Sequence, residues 1–222
     1  ILKLLSMNKN LTIFEGTVKD LELETNKIKE VILENNIRII AKSVVLTTGT
    51  FLGGVIHIGN ERIPAGRIGD KPSLQLSKKI RSLNLPIGRL KTGTPPRLLK
   101  SSIKWNEVEM QSADSEPVPF SYMTNKIAIK QIECGITRTN TKTHKVIADN
   151  LKLSAVYSGS IKGSGPRYCP SIEDKVNRFF EKESHQIFLE PEGLDSTLVY
   201  PNGISTSLPQ QIQTEFLKTI PG

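Results

Sequence analysis

The feature that most constrains the fold is a set of alternating strands that leads directly into a continuous apolar strand. Apolar and polar residues partly alternate through residues 11–42, and Thr25-Asn26 and Asn35-Asn36 interrupt them where turns are expected. The pattern predicts a small antiparallel meander with strands near residues 11–14, 17–24, 28–33 and 37–41. Residues 43–50 then form a continuous apolar run, which predicts a parallel strand buried on both faces. An α/β fold is therefore expected.

The small-residue end of that predicted strand is a candidate cofactor loop. Thr48, Gly49 and Thr50 end the run, and a glycine there lets the backbone approach a flavin or its pyrophosphate closely. A meander followed by such a strand is typical of flavoproteins with a Rossmann-like sheet, although any parallel strand can end in glycine. The fingerprint G-x-G-x-x-G is absent from all 222 residues, and in such a fold it would precede Ile1.

Cysteine, histidine and hydropathy patterns exclude several classes of protein. Cys134 and Cys169 lie 35 residues apart, so neither a disulfide framework nor a structural zinc site is expected. His57, His144 and His185 lack metal-binding spacing, and no metal is predicted. No apolar run approaches the roughly 18 residues of a membrane span. Because the sequence has no signal peptide and no initiator methionine, we interpret it as an internal part of a cytoplasmic protein.

Positive charge is concentrated in one part of the chain. Residues 62–104 contain eleven lysines and arginines and a single acidic residue, Asp70. Such a stretch attracts polyanions such as nucleic acid or the phosphates of a nucleotide cofactor, although it is also compatible with a solvated face. Arg89, Lys91 and Arg97 are candidate phosphate ligands, the arginines above all because of their forked geometry. The surrounding glycines lack the Gly-Lys-Ser/Thr ending of a P-loop, which excludes a nucleoside triphosphatase of that class.

The remaining pattern predicts helices and one strand around an irregular region. Helices are expected at residues 73–83 with Ser73 as the cap, 142–151, 171–182, and after residue 209 through Lys218. A strand is expected at residues 132–137, and Cys134 within it is interpreted as structural. Residues 98–130 are expected to be irregular, and residues 200–209 to form turns and a loop.

Cys169 is the one candidate for covalent or proton-transfer chemistry. It lies just before Ser171-x-x-Asp174, a pattern that predicts the N-terminus of a helix. The partial positive charge there, with Arg167 and Lys175 nearby in sequence, would stabilise a thiolate. The same surroundings suit a bound anion or pyrophosphate, and a free cysteine is more often simply a small buried hydrophobic residue.

Six longer motifs follow one another along the chain. They lie at residues 47–54 with His57, 66–73, 88–97, 165–175, 185–193 and 200–209. Their sequences and order resemble those of the GidA/MnmG family of tRNA uridine 5-carboxymethylaminomethyl modification enzymes. The similarity extends over essentially the whole chain.

The resemblance implies an enzyme that binds FAD, accepts hydride from NADH and acts with the GTPase MnmE on tRNA. Such enzymes add a carboxymethylaminomethyl or aminomethyl group at C5 of the wobble uridine. Methylenetetrahydrofolate supplies one carbon, and glycine or ammonium supplies the other added atoms. The full-length protein is expected to be a homodimer. Residues 1–95 would belong to the Rossmann-like FAD domain with its meander, residues 96–200 to an inserted α/β NADH-binding domain, and residues 201–222 to a return toward the FAD domain.

The resemblance also implies site residues. Val18 and Ser73 match positions that contact FAD, and Cys169 matches a cysteine proposed to be catalytic. The NAD-binding stretch corresponds to Gly165, Pro166, Arg167, Tyr168, Cys169, Pro170, Ser171, Ile172, Glu173, Asp174, Lys175, Val176, Asn177, Arg178 and Phe179. The chain alone is not expected to bind FAD well or to catalyse a reaction.

Two other functions stay open at this point. A folate- and FAD-dependent tRNA uridine methyltransferase would share the flavin fold, but the motif at residues 167–175 is not expected in it. A non-catalytic, basic nucleic-acid-binding module would lack flavin, so the full-length protein would purify without yellow colour.

Overall fold

The computed structural model describes residues 1–159, 161 and 170–222. The chain forms two compact units. The first comprises Ile1–Ile56 and Arg62–Gly88, and the second comprises His57–Glu61 and Arg89–Gly222. The chain passes into the second unit after Ile56 and back after Glu61, both within a two-stranded hairpin, and it enters the second unit again after Gly88.

The first unit contains the predicted meander. Helix α1 (Leu2–Ser6) precedes strands β1 (Val18–Glu24), β2 (Lys27–Leu33) and β3 (Arg38–Ile40), which pair antiparallel in the order β1-β2-β3. Asn26 and Asn36 each have φ of 63°, the left-handed conformation that asparagine tolerates in tight turns. Both turns and these three strands confirm the alternation read from the sequence.

Two predicted strands do not form. Residues 11–14 and 43–50 have no strand structure, so the predictions of a first meander strand and of a buried parallel strand are wrong for this chain. A parallel strand depends on hydrogen-bonded neighbours and on covered faces. No strand among the described residues pairs with residues 43–50, and Val45 is 85% exposed.

After β4 (Val55–Ile58) and β5 (Glu61–Pro64), which form the hairpin, helix α2 (Leu74–Ser82) completes the first unit. It packs on β1 and buries Leu76, while Leu21 and Leu33 are buried from the sheet. Ser73 occupies the predicted cap position, but its side chain makes no capping hydrogen bond. The helix prediction is confirmed.

The second unit is built on a five-stranded sheet. Its strands are β6 (Leu98–Leu99), β7 (Glu109–Gln111), β8 (Cys134–Arg138), β9 (Gln186–Pro191) and β10 (Leu198–Asn202). They lie in the order β6-β10-β9-β8-β7, and every neighbouring pair is antiparallel. Together with the helices the chain has the expected mixed α/β character, but no parallel Rossmann sheet is present among the described residues.

Three helices accompany that sheet, and all three were predicted. They are α3 (Thr141–Asp149), α4 (Ile172–Arg178) and α5 (Gln210–Leu217). Their apolar faces share one core with the sheet, whose most deeply buried residues include Ile147, Ile172, Val199 and Phe216. None of the described helices is both long and apolar enough to cross a membrane.

Strands β6, β7, β9 and β10 were not expected from the sequence. Residues 98–130 contain short strands and two 3-10 turns rather than only irregular backbone. The other two strands contain prolines, which argue against a strand when only the sequence is considered. Pro191 ends β9, and Pro201 lies inside β10. Strand β6 pairs only with Leu198 and Val199, so β10 has no second neighbour at Pro201, where a strand tolerates proline.

Candidate functional site

A cleft in the first unit brings together residues that are distant in sequence. Its volume is about 280 Å³, and its lining includes Val18, Thr48 and Ser73. These are three of the five residues expected to contact FAD. Gly49 and Thr50 are exposed beside Thr48 and are not part of the lining.

The N-terminus of α2 gives this cleft an anion-binding character. Ser73 lines the cleft at the cap position, and the first turn of the helix has neither a side-chain cap nor an acidic residue. Its backbone N–H groups and the helix dipole are therefore suited to a negatively charged group. Arg67 and Lys71 also line the cleft and add two positive charges, against the single acidic residue Asp70. This donor set fits the pyrophosphate of a dinucleotide.

Close backbone packing shapes the wall of the cleft. A Cβ atom placed on Gly66 would overlap the Cβ and Cγ atoms of Phe51, and both residues line the cleft. A Cβ atom on Gly54 would lie 2.9 Å from the carbonyl oxygen of Ala65. The segment that follows the predicted cofactor loop therefore lies against residues 65–66 at a distance that only glycine permits.

The predicted NAD-binding stretch is only partly described. Residues 165–169, including the candidate catalytic Cys169, lie outside the described residues. Helix α4 begins as predicted, with Ser171 and Asp174 forming a reciprocal capping box. Pro170, Asn177, Arg178 and Phe179 are exposed. In contrast, Ser171, Ile172, Glu173 and Val176 are buried and face the interior of the second unit.

The three candidate phosphate ligands have different surroundings. The Arg97 guanidinium donates to Glu192 Oε1 at 2.6 Å, to Thr94 Oγ1 at 2.8 Å and to the Pro95 carbonyl at 2.9 Å. It also lies 4.5 Å from the centre of the Tyr200 ring. Arg97 thus connects the segment of residues 89–97, called here the basic loop, to Glu192, which follows β9, and to Tyr200 on β10. Arg89 is exposed and Lys91 is half-buried, and neither residue belongs to a strand or a helix.

Two histidines that are far apart in sequence meet in the second unit. The ring centres of His144 and His185 are 5.1 Å apart. Thr139 joins them, because its hydroxyl lies 2.8 Å from His144 Nε2 and accepts a 2.7 Å bond from the His185 backbone N–H. Among the described residues no group of three metal ligands forms. The pairing of these two histidines was not expected, because they lie 41 residues apart in the sequence.

The histidine pair predicts a pH-dependent stability. Burial lowers the pKa of both rings, and the charges of His144, Lys175 and Lys182 lower the pKa of His185 further. The unfolded chain therefore binds protons more readily, so the free energy of unfolding should decrease as pH falls below the ordinary histidine pKa of about 6.5. We expect His185→Gln to reduce this loss.

The measurement is the Tm of the full-length protein between neutral and mildly acidic pH. The wild type should lose roughly a few degrees more than His185→Gln over this range. Lys145→Gln, an exposed change on the same helix as His144, is the control and should follow the wild type. Parallel curves for wild type and His185→Gln would contradict the prediction.

Cys134 has surroundings that agree with a structural role. It is half-buried on β8, and burial together with the nearby charge of Glu190 raises the pKa of its thiol. A thiol in that state is a poor nucleophile at neutral pH.

Comparison with known proteins identifies the family. The sequence profile of the family described as "Glucose inhibited division protein A" matches residues 1–222. The chain belongs to this GidA family. The resemblance read from the six motifs is therefore confirmed.

Named relatives and solved structures of the GidA family agree with this assignment. The chain is 51% identical to the tRNA uridine 5-carboxymethylaminomethyl modification enzyme MnmG of Granulibacter bethesdensis over 222 residues, and 51% identical to that of Thermodesulfovibrio yellowstonii over 220 residues. Each match covers 99% of this chain and 35% of the relative, so the chain spans about a third of their length.

Two crystal forms of Aquifex aeolicus GidA have a similar structure. Form I has a TM-score of 0.86 at 46% identity, and form II has a TM-score of 0.83 at 42% identity. Both matches cover 99% of this chain, and they cover 38% and 35% of the respective GidA chains.

Proposed function

We propose that this chain is part of an FAD- and NADH-dependent enzyme that modifies the wobble uridine of tRNA at C5. The relatives named above are tRNA uridine 5-carboxymethylaminomethyl modification enzymes. The observation that carries the proposal is the cleft of the first unit, where Val18, Thr48 and Ser73 meet beside Arg67 and Lys71.

In this proposal the first unit holds FAD. The N-terminus of α2, Arg67 and Lys71 bind the pyrophosphate, while the backbone near Val18 and the loop with Thr48, Gly49 and Thr50 contact the rest of the cofactor. Bound FAD would store the electrons delivered by NADH. Residues 43–50 would gain the strand neighbours that a Rossmann-like sheet provides.

The second unit would hold NADH along residues 165–179. The exposed side chains at the end of α4 remain accessible for binding, and the buried ones keep the helix in place. We assign residues 1–95 to the FAD domain, 96–200 to an inserted NADH-binding domain and 201–222 to the return toward the FAD domain. In this structure residues 57–61, 89–95 and 201–222 belong to the second unit, so the proposed domain boundaries differ from those of the two units. Cys169 would act near the modified carbon as a nucleophile or a proton-transfer group.

The proposal also specifies partners and compartment. The full-length protein would be a cytoplasmic homodimer that acts with the GTPase MnmE on tRNA and takes a one-carbon unit from methylenetetrahydrofolate. Arg89 and Lys91 would contribute positive charge toward tRNA or cofactor phosphates. The Arg97 guanidinium is engaged by Glu192 and by residues 94–95, so a phosphate bound there would have to replace these contacts.

Nucleoside mass spectrometry of tRNA tests the reaction. Cells lacking the full-length gene should lose aminomethyl-type wobble uridines, and the intact gene should restore them. Unchanged wobble uridines would overturn the proposal. Loss of 5-methyluridine instead would favour the methyltransferase, and a colourless purified protein would favour the nucleic-acid-binding module.

Charge reversal in the cleft tests the FAD site. The double variant Arg67→Glu/Lys71→Glu in the full-length protein should lower FAD affinity by about tenfold to a hundredfold, because it replaces two attractive charges with repulsive ones. The measurement is titration of the apoprotein with FAD. Lys78→Glu, an exposed reversal on α2 outside the cleft lining, should bind FAD as the wild type does. Equal affinities for all three proteins would count against this cleft.

A further inference from the structure

We propose that Glu173 is a positioning residue whose buried carboxylate fixes the start of α4, rather than a residue that contacts the dinucleotide. This inference rests on the proposed function, in which residues 165–179 bind NADH. It changes the role of one residue in that stretch and adds Thr206, which lies outside it. The residues that Glu173 contacts belong to the loop at residues 203–208, which follows β10 and is called here the anchor loop.

The burial of Glu173 argues against direct contact with a ligand. Its side chain is 0% exposed, which is unusual for a glutamate. Oε1 accepts hydrogen bonds from Thr206 Oγ1 and from the Ser207 backbone N–H, both at 3.0 Å. Oε2 is also buried, and no described residue donates to it. The carboxylate is therefore directed into the protein, where the anchor loop satisfies one of its two oxygens.

Neighbouring residues of α4 contact the same loop. The Ile172 backbone N–H donates to the Ser205 carbonyl at 2.7 Å, and Lys175 Nζ donates to the Gly203 carbonyl at 2.8 Å. Three of the first four residues of the helix thus bind the anchor loop. The remaining residue of these four, Asp174, completes the capping box with Ser171. Among these contacts only Glu173 supplies a fully buried acidic side chain, and its removal would leave buried donors without an acceptor.

The anchor loop is in turn attached to other parts of the second unit. The Thr206 N–H donates to the Thr94 carbonyl at 3.3 Å, and the Gly59 N–H donates to the Ser207 carbonyl at 2.8 Å. The hydroxyls of Ser207 and Ser154 lie 2.8 Å apart in the interior. Glu173 therefore connects the start of α4 to the basic loop at Thr94 through two hydrogen bonds. Because α4 lies within the predicted NADH stretch, this connection holds the described part of that stretch, residues 170–179, in place.

Substitutions can separate positioning from contact. Glu173→Ala leaves the Thr206 hydroxyl and the Ser207 N–H without their acceptor, so the loop and the helix start should separate. Glu173→Gln keeps an oxygen in the place of Oε1 and should preserve both bonds. Thr206→Val removes one of the two donors to Glu173 Oε1 and leaves the sequence of residues 165–179 unchanged. Glu183→Ala is the matched control, since it removes an exposed acidic side chain a few residues after α4.

The experiment measures flavin reduction by NADH in the full-length, FAD-loaded protein. Glu173→Ala should raise the NADH concentration for half-maximal rate by about tenfold with little change in the maximal rate, as expected when one buried polar contact is lost. Thr206→Val should do the same. Glu173→Gln and Glu183→Ala should stay within about twofold of the wild type. The Glu173→Ala/Thr206→Val double variant should be no worse than Glu173→Ala alone, because both changes break one contact.

Opposite outcomes would overturn the proposal. If Glu173→Gln is as damaging as Glu173→Ala while Thr206→Val has no effect, the carboxylate contacts the dinucleotide directly. If none of the variants differs from the wild type, Glu173 does not position the site. Should Glu173→Ala fail to fold, Glu173→Gln and Thr206→Val still decide between these outcomes.

Amide hydrogen exchange separates failure of this proposal from failure of the proposed function. If NADH does not reduce the flavin of the wild type, the proposed function is wrong, but the positioning role of Glu173 can still be tested. Exchange at residues 172 and 203–208 should be faster in Glu173→Ala, unchanged in Glu173→Gln, and unchanged in β8 and β9 of both. Normal protection of the anchor loop in Glu173→Ala would refute the positioning role.

Discussion

Replacing Cys169 with serine is expected to abolish wobble-uridine modification while leaving bound FAD in place. The residue lies two positions before Ser171, which caps α4 through its capping box with Asp174. A cysteine near a helix N-terminus gains thiolate character, and serine cannot replace that chemistry at neutral pH. We expect a loss of about 10³-fold or more in the rate of modification. The measurement is modification of substrate tRNA by purified full-length protein with its partner.

Cys134 provides the matched control for that experiment. It is half-buried on β8, and burial raises the pKa of its thiol, so Cys134→Ser should retain modification. Flavin absorbance should be unchanged in both variants, because the proposed FAD cleft belongs to the first unit. Normal modification by Cys169→Ser would remove the catalytic role assigned to Cys169.

Replacing Gly66 with alanine is expected to distort the proposed FAD cleft. The added methyl group would overlap Phe51 at its Cβ and Cγ atoms and would lie 3.0 Å from its Cα atom, so a rotamer change of the ring cannot relieve the overlap. Phe51 and the cofactor loop before it must then move. We expect FAD affinity in the full-length protein to fall by about a hundredfold, since a shift of this kind disturbs several contacts at once.

Gly88→Ala is the control for the glycine experiment. Gly88 is in the same unit, and a Cβ atom there would meet no atom within 4 Å. FAD titration of the apoprotein should therefore give wild-type affinity for Gly88→Ala and a large loss for Gly66→Ala. Retention of FAD by Gly66→Ala would show that the cofactor lies elsewhere.

Elements that depend on local chemistry could be predicted from the sequence. The turns at residues 25–26 and 35–36, the alternation of β1 and β2, and the capping box of α4 each depend on residues within a few positions of one another. The apolar faces of α2 and α3 have the helical period. These signals correctly located three strands of the meander and the helices.

Elements that depend on distant partners could not be predicted in the same way. The apolar run at residues 43–50 was expected to be a buried strand, but no described strand pairs with it. The roles of Arg97 and Glu173 depend on residues about 30 to 95 positions away, such as Glu192 and Thr206. The meeting of His144 with His185 is equally non-local. Thr48 and Ser73, which line the cleft, were proposed from the sequence, but Arg67 and Lys71 beside them were not singled out.

The backbone passes three times between the units, and this limits how the protein can be divided into fragments. Five residues, His57–Glu61, belong to the second unit although the sequence on both sides belongs to the first. Within the second unit the Gly59 N–H donates to the Ser207 carbonyl at 2.8 Å, and a Cβ atom on Gly59 would lie 2.7 Å from Pro209. A recombinant fragment that begins at Arg89 would lack residues 57–61 and would expose the surface that they cover. No single cut yields both units whole, and a separable second unit needs residues 57–61 grafted back by circular permutation or supplied as a peptide.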